Sequence, residues 1–158
     1  LYQPAEMKAG VAYTMSNISV TADYKLIKWG SAAGYKDFNW KNQTVIALGA
    51  KYAADGYWLG LGYNNANDPI DKLPAASGAA AEYRNAAINL FNNMFFPAIV
   101  TNSFTFGGGY DISKALAVEA SAVISPEVKK TVDVANFGGT NTTTHSQKAY
   151  SVSLRYKF

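Results

Sequence analysis

The sequence predicts an all-β protein: an antiparallel transmembrane β-barrel portion of about seven strands, with one helical segment in a long connection. Three observations predict it. The first is alternation, cleanest in the final stretch, Gln147 to Phe158, where Tyr150, Val152, Leu154, Tyr156 and Phe158 are apolar at every second position. Ala149, Ser151, Ser153, Arg155 and Lys157 lie between them, and a period of two means a strand with one apolar and one wet face. The second is aromatic content: 11 Tyr and 3 Trp, and a final strand closed by Phe158, suit rings at membrane interfaces. The third is the connections, which alternate short turn and long loop three times, as outer-membrane barrels do.

In chain order, MKAGVAYTM sets Val11, Tyr13 and Met15 against Lys8, Gly10, Ala12 and Thr14, and Ser16-Asn17 is a two-residue turn. Strand two, Ile18 to about Lys28, puts Ile18, Val20, Ala22, Tyr24 and Leu26 on one face. The loop WGSAAGYKDFNWKN follows. Strand three, about Gln43 to Ala53, alternates Ile46, Leu48, Ala50 and Tyr52 with Ala47, Gly49 and Lys51. Ala54-Asp55-Gly56 turns, with Gly supplying a positive φ. Strand four is Tyr57 to Asn64. A long interruption, about residues 65–100, has loop composition and then helix-forming SGAAAEYRNAAINLFNNMFFP, with Ser77 as a cap and Pro97 as its stop. Strand five is Thr101 to Asp111, Ile112-Ser113-Lys114 turns, and strand six runs from Leu116 to about Ser125. Pro126 to Ser146, with the tract GGTNTTTHSQ, is expected to be a second long polar loop before strand seven.

Composition bounds the rest. The 158 residues fit one domain, a single barrel portion over 1–158. Mean hydropathy is −0.09 and no apolar run reaches about 18 residues, which excludes a helical membrane protein but not a barrel. Zero Cys removes disulfides and thiolate sites, and a scattered +3 charge gives no nucleic-acid footprint. No signal peptide stands at Leu1, so a mature chain, a processed product or a fragment is expected. An odd count of seven is a difficulty, because bacterial single-chain barrels have even numbers.

The run ADYKLIKW, then FNWKNQTVIALGAKY, NNMFFPAIVTNSFTFGGGYD and HSQKAYSVSLRYKF resembles the C-terminal half of the FadL family. These are outer-membrane transporters of long-chain fatty acids, with TodX-like relatives that pass aromatic hydrocarbons. The resemblance implies a barrel of about fourteen strands, these being the last seven, which would resolve the odd count. It also implies an outer-membrane, multi-pass location, a periplasmic C-terminus, and a final strand that serves as an assembly signal. The family's N-terminal hatch and first strands have no counterpart here, so another chain or an N-terminal half is expected to complete the wall. The implied partners are hydrophobic small molecules (fatty acid, detergent or lipid), membrane lipid and lipopolysaccharide.

Enzyme chemistry finds no support: the single His145 sits in the Thr-rich tract without metal-ligand spacing, and no cofactor motif is present. Gly107 to Gly109 lies in a strand and reads as a bend or a close backbone approach. If the apolar faces meet lipid, Lys8, Asp23, Lys25, Lys51, Glu119, Arg155 and Lys157 point into the lumen. They either pair with one another or leave Lys25, Lys51 and Arg155 to meet a fatty-acid carboxylate. The strongest ligand-binding candidates are Leu90, Phe91, Met94, Phe95 and Phe96, large apolar side chains on an extracellular loop. They either pack inside the barrel mouth or line an apolar channel. The reading is passive transport of hydrophobic molecules. The alternatives are a structural or adhesive barrel with partner-binding loops, and a soluble lipid-binding barrel.

Overall fold

The computed structural model describes residues 1–74 and 78–158. Its strands are β1 (Glu6–Met15), β2 (Ile18–Ile27), β3 (Gln43–Ala54), β4 (Tyr57–Ala66), β5 (Asn102–Asp111), β6 (Leu116–Val134) and β7 (Gly139–Tyr156), and a helix, α1 (Ala79–Phe95), lies between β4 and β5. The strands form one antiparallel sheet in chain order, so β1 and β7 run in the same direction and each pairs on one side only. Two-residue turns join β1 to β2 and β3 to β4. Ser16 takes φ 52 and Gly56 φ 80, the left-handed backbone such tight connections require.

Register lines up the two faces across the whole sheet. One row holds Tyr13, Val20, Ala50, Leu61, Phe106, Ala122 and Tyr150, one residue from each strand. The next holds Thr14, Ser19, Lys51, Gly60, Gly107, Ser121 and Ser151. The first face is apolar yet uncovered: Leu61 is 62% exposed and Tyr150 72%. A soluble sheet would bury such a face, and so large an exposed apolar surface marks an interaction surface. The second face carries charge, hydroxyls and glycine, and α1 lies on this side. Buried packing is concentrated at the end of the long connections, where Trp40, Ile70, Ala86, Ile99, Val132 and Val134 meet. Among the described residues no helix is long and apolar enough to cross a membrane.

The expected loop from Pro126 to Ser146 is instead strand. Beyond Ser125, β6 and β7 continue as a two-stranded arm from Val128–His145 to Val134–Gly139, closed by a short turn at Ala135–Phe137. The physical reason for the difference is a bulge between Ser125 and Val128. Without it, Val128, Val132 and Val134 would continue the outward face of Ile124. With it they turn to the α1 side, where Val132 and Val134 are each 3% exposed. The Thr tract, read as solvated loop, has the β-branched composition of a strand, and Thr131 and Thr142 hydroxyls meet across the arm at 2.8 Å. His145 is therefore a strand residue opposite Val128, not a loop histidine.

The glycine run in β5 serves close approach. The Trp58 indole lies across it, and a Cβ on Gly109 would collide with the indole nitrogen, whereas one on Gly107 would stand 3.4 Å from the ring. Gly109→Ala is expected to displace Trp58 and destabilise the sheet by about 1–3 kcal/mol. Near-UV circular dichroism of the indole would register the change, and Gly107→Ala should leave that signal intact.

Candidate functional site

The site at the long-connection end begins with α1. Its first turn follows Gly78 at φ 101; the predicted cap Ser77 lies outside the described residues. The helix ends at Phe95, just before Pro97. Asn89, Asn92 and Asn93 sit at spacings that share one helical face, and all three are buried. The Asn89 amide accepts from the Leu73 N–H at 2.9 Å and donates to the carbonyls of Leu73 and Asp133 at 2.9 and 3.1 Å. Asn92 accepts from the Trp40 indole at 3.1 Å and donates to the Phe38 carbonyl at 2.7 Å. Asn93 donates to Asn141 Oδ1 at 2.6 Å, and its carbonyl accepts from the Thr143 hydroxyl at 2.9 Å. Three polar side chains thus tie the helix to the β2–β3 loop, the 67–73 segment and the β6–β7 arm.

The β2–β3 loop supplies the other half. Asn39 takes φ 62, and Trp40 folds back on Tyr35 through a backbone N–H bond of 3.2 Å. Trp29, Tyr35 and Trp40 pack mutually with centroids 4.6–5.1 Å apart. Phe96 meets Trp40 edge-on at 4.9 Å and Phe91 at 5.9 Å. Phe91 stacks on Phe38 at 4.6 Å and touches Phe95 at 5.0 Å. The result is a continuous aromatic array of edge-to-face, tilted and stacked pairs, buried at Trp40 and open at the other end. Phe95 is 66% exposed, Met94 is also exposed, and Leu90 is half-buried.

A charged clasp stands beside it. Lys130, on the inner face of the arm, reaches Asp68 at 2.7 Å and also bonds the Ile70 carbonyl. Asp68 in turn accepts from the Ile70 N–H at 2.9 Å, and Ile70 bridges to Trp40. The clasp fixes the 67–73 segment against both the array and the arm.

The predicted site residues fall into separate groups. Leu90, Phe91, Met94, Phe95 and Phe96 gather at the long-connection end. Lys51 and Arg155 share an inner-face depression of about 150 Å³ at the short-turn end with Trp58 and Glu119. Lys25 stands apart, on β2 toward the array. Arg155 is 3.5 Å from Glu119, Lys25 is 3.4 Å from Glu6, and Lys8 is 3.3 Å from Asp23. Lys51 instead lies 4.7 Å over the Trp58 ring, held by cation–π attraction. Sequence reasoning did not single out Trp29, Tyr35, Phe38 and Trp40, although four aromatics within one connection were a visible signal. The three asparagines gave none, since their role depends on which segments fold against α1.

The fold of this chain matches solved barrels. The chain is similar to the toluene transporter TodX of Pseudomonas putida, with 18% identity over 98% of this chain and 35% of that chain, TM-score 0.62. A TodX deltaS2S3 mutant, a monoaromatic hydrocarbon channel, gives 18% identity over 98% and 36%, TM-score 0.61. The Ralstonia pickettii toluene transporter TbuX gives 15% identity over 98% and 33%, TM-score 0.54. The fold is that of part of a TodX-like barrel. The chain spans about a third of the length of these structures. No protein-family model matches it, and no curated protein matches it by sequence.

Proposed function

We propose that the chain, residues 1–158, forms part of the wall of an outer-membrane barrel that passively admits hydrophobic molecules, long-chain fatty acids or aromatic hydrocarbons. One observation carries the reading: an apolar row crosses all seven strands on one face, while the opposite face is polar and glycine-rich and is capped at one end by an aromatic array. The similarity to toluene transporters supports it at the level of fold. Residues about 65–100 are then an extracellular loop, the C-terminus is periplasmic, and further strands, from another chain or an N-terminal half, close the wall against membrane lipid and lipopolysaccharide. Phe91, Met94 and Phe95, with Leu90 and Phe96 behind them, first take the ligand from water. Transfer of apolar surface, about 0.8 kcal/mol per methylene, supplies the driving force, and no bond is made or broken.

Uptake of labelled oleate and toluene by cells carrying the protein is expected to exceed that of cells lacking it; equal rates overturn the reading. The inner-face cations add a finer expectation. Arg155 and Lys25 have carboxylate partners that a fatty acid must displace, whereas Lys51, among the described residues, has no carboxylate within 4.0 Å and lies over the Trp58 ring. Oleate should therefore bind roughly tenfold more tightly than its methyl ester, a margin typical of one charged hydrogen bond. Lys51→Gln should abolish that preference. Equal binding of acid and ester by the parent protein would remove the carboxylate contact.

A further inference from the structure

Beside the end of α1 two shielded polar atoms make no hydrogen bond: among the described residues, Asn93 Oδ1 and His145 Nε2 have no partner. Asn93 is 4% exposed, and its amide is committed on the other side, where Nδ2 donates to Asn141 Oδ1 at 2.6 Å. Its backbone carbonyl takes the Thr143 hydroxyl. Asn141, Thr143 and His145 are successive inward residues of β7, so His145 comes about 7 Å beyond Thr143 on the face that α1 covers. The helix descends along the same strand. Asn89 bonds the carbonyl of Asp133, which stands opposite Thr140, and Asn93 bonds Asn141. Phe96, three residues on and about 4.5 Å further at 1.5 Å per residue, is carried toward the level of His145. Beneath lies a polar floor, where Ser125 is buried and its hydroxyl meets that of Ser103 at 2.7 Å. Gln147, the next inward residue of β7, is exposed, so this corner opens onto the inner face of the sheet.

A shielded polar atom without a partner keeps its full desolvation penalty. Native folds leave few such atoms, and each calls for an explanation. Asn93 Oδ1 can only accept. The imidazole Nε2 donates in the tautomer that carries its proton there, the tautomer a nearby amide oxygen favours. A neutral hydroxyl answers both, giving its proton to Oδ1 and taking the Nε2 proton on its oxygen. A hydrocarbon offers neither, an ether only accepts, and a carboxylate would set its charge against the amide oxygen. The aromatic array ends at Phe96, so apolar contact and hydroxyl recognition stand side by side.

We propose that Asn93 and His145 form a hydroxyl-reading subsite, which takes an apolar molecule ending in a neutral hydroxyl, a phenol or an aliphatic alcohol. It deepens the uptake reading above and rests on it. The test is calorimetric titration of the purified protein in detergent with 4-pentylphenol and 1-decanol, each beside its methyl ether. The parent protein should bind each hydroxyl compound about tenfold more tightly than its ether, as two neutral hydrogen bonds give. His145→Phe keeps a ring and removes Nε2. It should bind both members of each pair equally, with an unfolding temperature no lower than the parent's. His145→Gln restores an N–H donor at similar reach and should keep the preference. Equal binding of hydroxyl compound and ether by the parent would overturn the subsite, with only a water left to fill the corner. A preference that survives in His145→Phe would overturn it too. So would a clear fall in that variant's unfolding temperature, which would mean that His145 and Asn93 bond each other. The two readings fail separately. Oleate and toluene bound without any hydroxyl preference sinks the subsite alone, whereas failure to bind any of these compounds sinks the uptake reading and the subsite with it.

Discussion

Asp68→Ala is expected to destabilise the long-connection end by about 3 kcal/mol, because it leaves Lys130 charged and buried without its partner. The Lys130 side chain is 9% exposed and that of Asp68 27%, so solvent reaches the carboxylate more easily than the ammonium. The penalty therefore belongs to the lysine. Asp68 also accepts the Ile70 N–H, and its loss frees the segment that bridges to Trp40. Lys130→Met makes the contrasting case: a stem of similar length stays packed beside Val132, and no buried charge remains. The ion pair with Asp68 and the bond to the Ile70 carbonyl are both lost, but the carboxylate left behind keeps the Ile70 N–H and reaches solvent, so the cost is about 1 kcal/mol. Thermal unfolding of both single variants and the double variant in detergent would give the coupling directly. Equal costs for the two single substitutions, with no coupling, would show that the pair does not hold the segment.

The clasp also illustrates what the sequence could and could not reveal. Strands announced themselves wherever one face was apolar and the other polar, because a period of two is a local property. Tyr150 to Tyr156 was readable for that reason. The arm was not, since a bulge at Ser125–Val128 reverses which residues face inward, and alternation read without it fails. The cluster Leu90 to Phe96 was visible as apolar side chains with nowhere dry to go. Its partners Trp29, Tyr35 and Trp40 lie some fifty residues or more away, and only the sheet brings the two connections to the same end. Lys130 and Asp68 are 62 residues apart, and no composition or spacing rule joins them.

Phe95 and Phe96 adjoin in sequence and should answer differently to removal of the ring. Phe96 is wedged among Trp40, Phe91 and Tyr35, with centroids at 4.9, 5.9 and 6.4 Å, so Phe96→Ala opens a hole in the array. A loss of about 3 kcal/mol in stability is expected. Among the described aromatic rings Phe95 meets Phe91, at 5.0 Å, and it is 66% exposed, so Phe95→Ala should change stability by no more than about 0.5 kcal/mol. Its exposed ring is free to be covered by a ligand. Covering about half of a Phe side chain is worth roughly 1.4 kcal/mol, so the same substitution should weaken oleate binding about tenfold. Met94→Ala should act in the same direction, since a flexible thioether beside the ring adapts to ligands of varied shape. Oleate titration of the two Phe variants, paired with their unfolding curves, separates packing from binding. If Phe95→Ala keeps both the stability and the affinity of the parent, the open end of the array does not touch ligand, and the first contact must lie elsewhere on the inner face.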